Sequence, residues 1–182
     1  MTSETKTGKL VKAALMTCLI IVATMFFKIP IPFANGYVHL GDAMIFLSVM
    51  LLGMKYGTIT AAIGSAMGDV LGGFAVWAPW TLVIKGVMAL IMGIFILNVM
   101  KKERNRRVLK PAAVRVIGML LAGLWMTFGY YIAEGVIYGN WIVALLGIPW
   151  NAGQFITGIV IASALSASLY KTPVGKHFYS EI

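Results

Sequence analysis

The sequence predicts an all-α integral membrane bundle of six transmembrane helices with both termini cytoplasmic, and three observations lead there. Hydrophobic residues make up 60% of the 182 and charged residues 12%, with a mean hydropathy of +0.89. That leaves too little polar surface to cover a soluble domain. The apolar residues gather into runs suited to a bilayer, which takes roughly 20 residues per crossing helix. The basic residues behind the net charge of +9 sit in short segments between those runs. Such a distribution reflects membrane orientation, and it offers no exposed basic domain for nucleic acid.

One domain, 1–182, holds all six spans. No small-residue cleavage pattern follows the first apolar run, so no cleavable signal peptide is expected. The single cysteine, Cys18, excludes an internal disulfide and cannot by itself build a zinc site.

Span 1 covers about Lys9 to Phe27, after Lys6, Lys9 and Lys12. Pro30 and Pro32 then stop any helix, since proline lacks the amide donor and restricts the residue before it. Residues 28–39 form a loop long enough to fold over something. Span 2, Leu40 to Met54, is short for a crossing and ends at the Lys55-Tyr56-Gly57 turn. Span 3, Thr58 to Gly73, repeats small residues every fourth position (Gly57, Ala61, Ser65; Gly64, Gly68, Gly72), a ridge that lets neighbouring helices approach. An aromatic turn, Phe74 to Pro79, leads to span 4, Trp80 to Met100. The charged loop KKERNRRVLK (101–110) precedes span 5, Ala112 to Tyr138. A second turn, Gly139 to Pro149, is expected before span 6, Trp150 to Tyr170.

With both termini cytoplasmic, thirteen of the fifteen Lys and Arg fall on the cytoplasmic side, leaving only Lys28 and Lys85. Asp42, Asp69, Lys85 and Glu134 then lie about one turn inside the outer ends of spans 2, 3, 4 and 5. Asn151 and Gln154, three apart on span 6, share that level. A charge in hydrocarbon costs several kcal/mol, so an ionisable residue at this depth marks a functional site by default. Asp69 and Lys85, on consecutive antiparallel helices, are expected to form a structural ion pair. Trp77, Trp80, Tyr130, Tyr131, Tyr138, Trp141 and Trp150 surround the layer. They would serve as interfacial anchors, and a subset would suit a flat, polar-substituted ring. His39, at the loop–helix junction, is a cap or a ligand contact. The expected substrate-binding set is His39, Asp42, Trp77, Trp80, Lys85, Tyr131, Glu134, Asn151 and Gln154. No metal site, cofactor or catalytic residue is expected.

The chain contains no phosphate-binding G-x-x-x-x-G-K-[ST] loop, no H-E-x-x-H and no G-x-S-x-G. No half-to-half repeat of the alternating-access kind is evident. A small membrane enzyme acting on lipid substrates through Asp42, Asp69 and Glu134 is the rival from another class; its usual close carboxylate pair, D-x-x-x-D, is missing here. A self-sufficient carrier or channel is the third reading. A one-sided site without an engine suggests a binding subunit that borrows its energy.

The runs GYVHLGDAMIFLSVMLLGMKYG, SAMGDVLGG and WAPWTLVIKGVMALIMG resemble the substrate-binding S components of energy-coupling factor (ECF) vitamin transporters, in the riboflavin-type subgroup. Within it the chain is most similar to lactobacillal S components assigned to hydroxymethylpyrimidine, a thiamine precursor, or to pyridoxine. The resemblance implies a vitamin bound near the outer surface beneath the span 1–2 loop, in a bacterial cytoplasmic membrane. It also implies partners: a transmembrane T subunit and two cytoplasmic ABC ATPases, with membrane lipid around the bundle and no nucleic acid. The family's Ala-x-x-x-Ala docking register on span 1 falls on Ala14 and Cys18. A compact polar layer with both signs of charge and short outer loops favours a small pyrimidine or B6-like ring over riboflavin.

Overall fold

In a computed structural model, which describes residues 6–30, 37–103 and 111–172, five helices are long and apolar enough to cross a membrane. They are α1 (Lys6–Phe26), α2 (Gly41–Leu71), α3 (Ala78–Glu103), α4 (Pro111–Tyr138) and α5 (Trp141–Tyr170). Two short strands, β1 (Lys28–Pro30) and β2 (Tyr37–His39), pair antiparallel between α1 and α2, with Lys28 opposite His39. The architecture is all-α apart from this ribbon, which occupies the place of the expected loop. Pro32, Arg104 to Lys110 and the polar tail with Lys176, on which part of the orientation argument rests, lie outside the described residues.

Spans 2 and 3 of the sequence reading are one helical element here, α2. Its continuity is broken at Gly53, whose φ of 74° and ψ of 180° are not helical. Those angles fall in a region essentially reserved for glycine, because a Cβ there collides with the backbone. The break reverses the chain. A Cβ on Gly57 would lie 2.7 Å from Val49 Cα, although residues eight apart in a straight helix are about 12 Å apart. Gly41 and Gly68, near the two ends of α2, both pack on Thr24 of α1. The element is therefore a helical hairpin, and its small residues face α1 at the separation their missing side chains permit. Gly64 packs on Ile20 in the same seam.

The turn expected over 139–149 is only Gly139 and Asn140. Gly139 takes a positive φ of 62°, and Asn140 caps α5 by accepting from the Ile142 and Val143 amides at 3.0 and 3.2 Å. Asparagine at an N-cap satisfies amide donors that lack intrahelical partners. Pro149 stands inside α5, where it removes one hydrogen bond without ending the helix. α5 packs on both α4 and α2, and tertiary packing of this kind can override the local preference of proline for a helix boundary.

The core, filled by Ile20, Ile45, Phe46, Met88, Met92, Met119 and Met126, lies between α1, α2, α3 and α4. Large apolar side chains are otherwise exposed in quantity, among them Leu15, Val76, Leu124, Ile142 and Val160. An outward apolar surface of that extent fits lipid rather than water.

Candidate functional site

The ends of α2, α3 and α4, an inner stretch of α5 and the ribbon meet at one site. There Asp69 closes α2, Thr81 opens α3, Glu134 lies near the end of α4, and Asn151 and Gln154 project from α5. With Tyr37 and His39 of β2, Trp77 and Tyr130, these residues line a cavity of about 400 Å³, its mouth included. The ribbon sits over it because Tyr37 and His39 are each tied to a helix. The Tyr37 hydroxyl donates to Asp69 Oδ1 at 2.6 Å, and the His39 amide donates to Gln154 Oε1 at 2.9 Å.

Of the nine expected contact residues, five line the cavity: His39, Trp77, Glu134, Asn151 and Gln154. The other four do not. Asp42 and Lys85 lie fully buried and paired with each other. Trp80 is half-buried against the core, and the Tyr131 ring packs tilted against Trp141 with centroids 5.6 Å apart.

The ion pair differs from the expected one: Lys85 bonds Asp42, and Asp69 serves the cavity wall. Depth along consecutive helices could not choose between two carboxylates at one level. The fold-back of α2 brings its first turn, and with it Asp42, beside α3. Asp42 also gains from its place in that first turn, where the helix dipole favours an anion. Its second oxygen accepts from Gln154 Nε2 at 3.0 Å. Lys85 further contacts Met126 Sδ at 2.8 Å and stands 5.2 Å from the centroid of the Tyr130 ring. Both charges are thus neutralised and hydrogen-bonded, as burial of an ion pair demands.

Two lining residues, Tyr37 and Thr81, escaped the sequence reading. Thr81 carried a usable signal, because it precedes Lys85 by one helical turn on the same face. Tyr37 carried none: its position depends on the ribbon, which no periodicity announces.

The Glu134 carboxylate packs against Gly147 of α5, where any Cβ would collide with it. Its Oε1 accepts from Asn151 Nδ2 at 3.1 Å. His39 is buried and accepts the Gly41 amide at Nδ1. Burial first, then the positive charge of Lys85, holds its pKa down to about 3, so the ring is neutral. Burial and the neighbouring Asp69 carboxylate push the Tyr37 hydroxyl well above its usual range, so it remains a donor. Among the described residues no cluster of His, Cys, Asp or Glu could hold a metal ion. The arrangement is an open-mouthed, aromatic-walled cavity with several hydrogen-bonding groups, suited to holding a small ring.

Comparison with known proteins places these features. Residues 4–171 match a family model described as the S component of the ECF-type riboflavin transporter. A protein of Pyrococcus woesei, described only as uncharacterised and in the gap 3′ region, is 35% identical over 150 residues, covering 82% of this chain and 93% of that one. The thiamine precursor transporter HmpT of Lactococcus lactis subsp. cremoris (strain MG1363) is 28% identical over 167 residues, covering 91% and 90% of the two chains. Among solved structures, the S component for biotin from an ECF-type ABC transporter superposes with a TM-score of 0.67 at 21% identity, over 98% of this chain and 99% of that one.

Proposed function

The chain belongs to the S components of ECF-type transporters, multi-pass membrane proteins that serve transport and not catalysis, and on that premise we propose that it is the vitamin-capturing subunit of an ATP-driven importer. In this reading the cavity beneath the β1–β2 ribbon opens to the outside of the cell membrane. The two arms of α2 count as separate crossings, which gives six, with both termini cytoplasmic. The basic residues Lys55, Arg115 and Lys171 then lie on the cytoplasmic side, as the positive-inside rule requires.

The substrate proposed is a small pyrimidine or pyridine vitamin or precursor, with hydroxymethylpyrimidine or pyridoxine first. The observation that carries this is the lining of the cavity, where the Trp77 and Tyr130 rings stand beside the polar groups of His39, Asp69, Glu134 and Asn151. The relative named as a thiamine precursor transporter supports it. Riboflavin is the second reading, supported by the family model's description.

Energy would come from a T subunit and two ABC ATPases on which the chain docks through α1. Ala14 and Cys18 both lie on the exposed side of that helix, as docking would need. Purification from cells expressing all components, followed by mass spectrometry of the retained ligand, tests the reading. Stoichiometric T subunit and ATPases with a bound single-ring vitamin are expected. A lone protein that turns over a substrate would overturn it.

A further inference from the structure

The polar groups around the cavity divide by whether the protein itself satisfies them. Gln154 is engaged at both ends, accepting from His39 and donating to Asp42. Lys85 and Asp42 neutralise each other beneath it. His39 accepts at Nδ1, which leaves the imidazole proton on Nε2 as a donor. Asp69 and Glu134 differ from these. Each lines the cavity, is at most 5% exposed, and commits one oxygen to the protein, Asp69 Oδ1 to Tyr37 and Glu134 Oε1 to Asn151. The other oxygen of each, Oδ2 and Oε2, is buried without a hydrogen-bond partner. Buried acceptors are rarely left so, and a ligand is one thing that completes them.

Building on the transport reading, we infer that the ligand supplies a hydrogen-bond donor to each of these two orphaned carboxylate oxygens and carries no anionic group. An ionised carboxylate only accepts. A carboxylate or phosphate on the ligand would therefore face two like charges. Among the described residues near them, Lys85 is committed to Asp42, and Lys28, over the Tyr37 and Phe74 rings with its Nζ on the Gly72 carbonyl, sets one positive charge against the two carboxylates. The class that fits is one aromatic ring with amino or hydroxyl substituents and a ring nitrogen that can accept from His39 Nε2–H. Trp77 and Tyr130 supply the aromatic wall. Vitamins that carry an acid group do not fit.

Calorimetry on the intact purified chain with matched ligands tests this. One pair is 4-amino-5-hydroxymethyl-2-methylpyrimidine and the same ring without its 4-amino group; the other is pyridoxine and 4-pyridoxic acid. The amine should bind at least about 10-fold more tightly than its deaminated partner, and pyridoxine should exceed the acid by more. Glu134→Gln and Asp69→Asn each keep the acceptor used by Asn151 or Tyr37. In one of them the advantage of the amine over the deaminated ring should vanish, and an unchanged size-exclusion profile shows that the variant is folded. An advantage that survives in both variants overturns the inference, as does an acid that binds as well as its neutral partner. Tight binding of biotin or nicotinate in place of these rings would overturn it too, yet leave the transport reading standing. A chain that binds no vitamin and joins no T subunit or ATPase would remove both.

Discussion

Asp42 and Lys85 show how a residue can be singled out from sequence and yet be given the wrong partner: Lys85 pairs with Asp42 and not with Asp69. Both are fully buried and joined, with Gln154 and Met126 completing their contacts. Asp42→Asn alone would leave an uncompensated ammonium in a low-dielectric interior, a loss of about 3–5 kcal/mol. Folded yield on size exclusion should fall sharply, and the double variant Asp42→Asn with Lys85→Met should recover most of it. A double variant as poor as the single one would show that the pair is not the unit of stability. His39 yields the pH prediction. Its folded pKa is about 3, against about 6.5 in an unfolded chain. Between those values the unfolded chain binds a proton that the folded one refuses, so stability is full above about pH 6.5 and falls as the pH drops. At pH 4.5 the loss from this group is about 2–3 kcal/mol. His39→Asn, which keeps an acceptor for the Gly41 amide, should flatten the acid limb of a thermal unfolding curve relative to the unaltered chain.

At the scale of elements, the hairpin within α2 decides where everything else lies. It rests on Gly53, the one non-helical residue inside the element. Gly53→Ala would force an alanine into a conformation that costs about 1–3 kcal/mol. No neighbour stands within 4 Å of the added methyl, so backbone strain alone is tested. A fall in thermal midpoint with ligand affinity unchanged is expected. A neutral Gly53→Ala would mean that the fold-back does not depend on this conformation. The ribbon depends on side-chain ties instead. Removing the Tyr37 hydroxyl, as Tyr37→Phe, frees Asp69 Oδ1 and loosens the ribbon, so ligand release should quicken by stopped-flow fluorescence more than association changes.

For the whole molecule, the exposed side of α1 carries Leu10, Val11, Leu15, Leu19 and Val22 around Ala14 and Cys18. If this face seats the T subunit, Ala14→Leu adds volume at a close helix contact, which such seams tolerate badly. Co-purification with the T subunit and ATPases should be lost while calorimetric ligand binding stays the same. Loss of both together would assign Ala14 to internal packing.

Composition and hydropathy by themselves determined that the chain is a membrane-embedded helical bundle, since a bilayer admits few ways to satisfy every backbone polar group. The run of apolar segments placed α1, α3 and α4 to within three residues at each end, because lipid-facing and core-facing positions both demand apolar side chains there. Also legible was that Asp42, Asp69, Lys85, Glu134, Asn151 and Gln154 interrupt apolar segments; all six lie buried in the bundle, where a polar group is costly unless it is partnered. Partnership was not legible. Which carboxylate meets Lys85, whether Pro149 ends a helix or rides inside one, and that Tyr37 reaches Asp69 across 32 residues of chain all depend on rotation and fold-back of the helices. Those are set by close packing of small residues such as Gly41, Gly57 and Gly68 against particular neighbours. The unusual residues follow from one-dimensional hydrophobicity, while azimuth and contact follow from three-dimensional packing, and only the tertiary structure supplies the second.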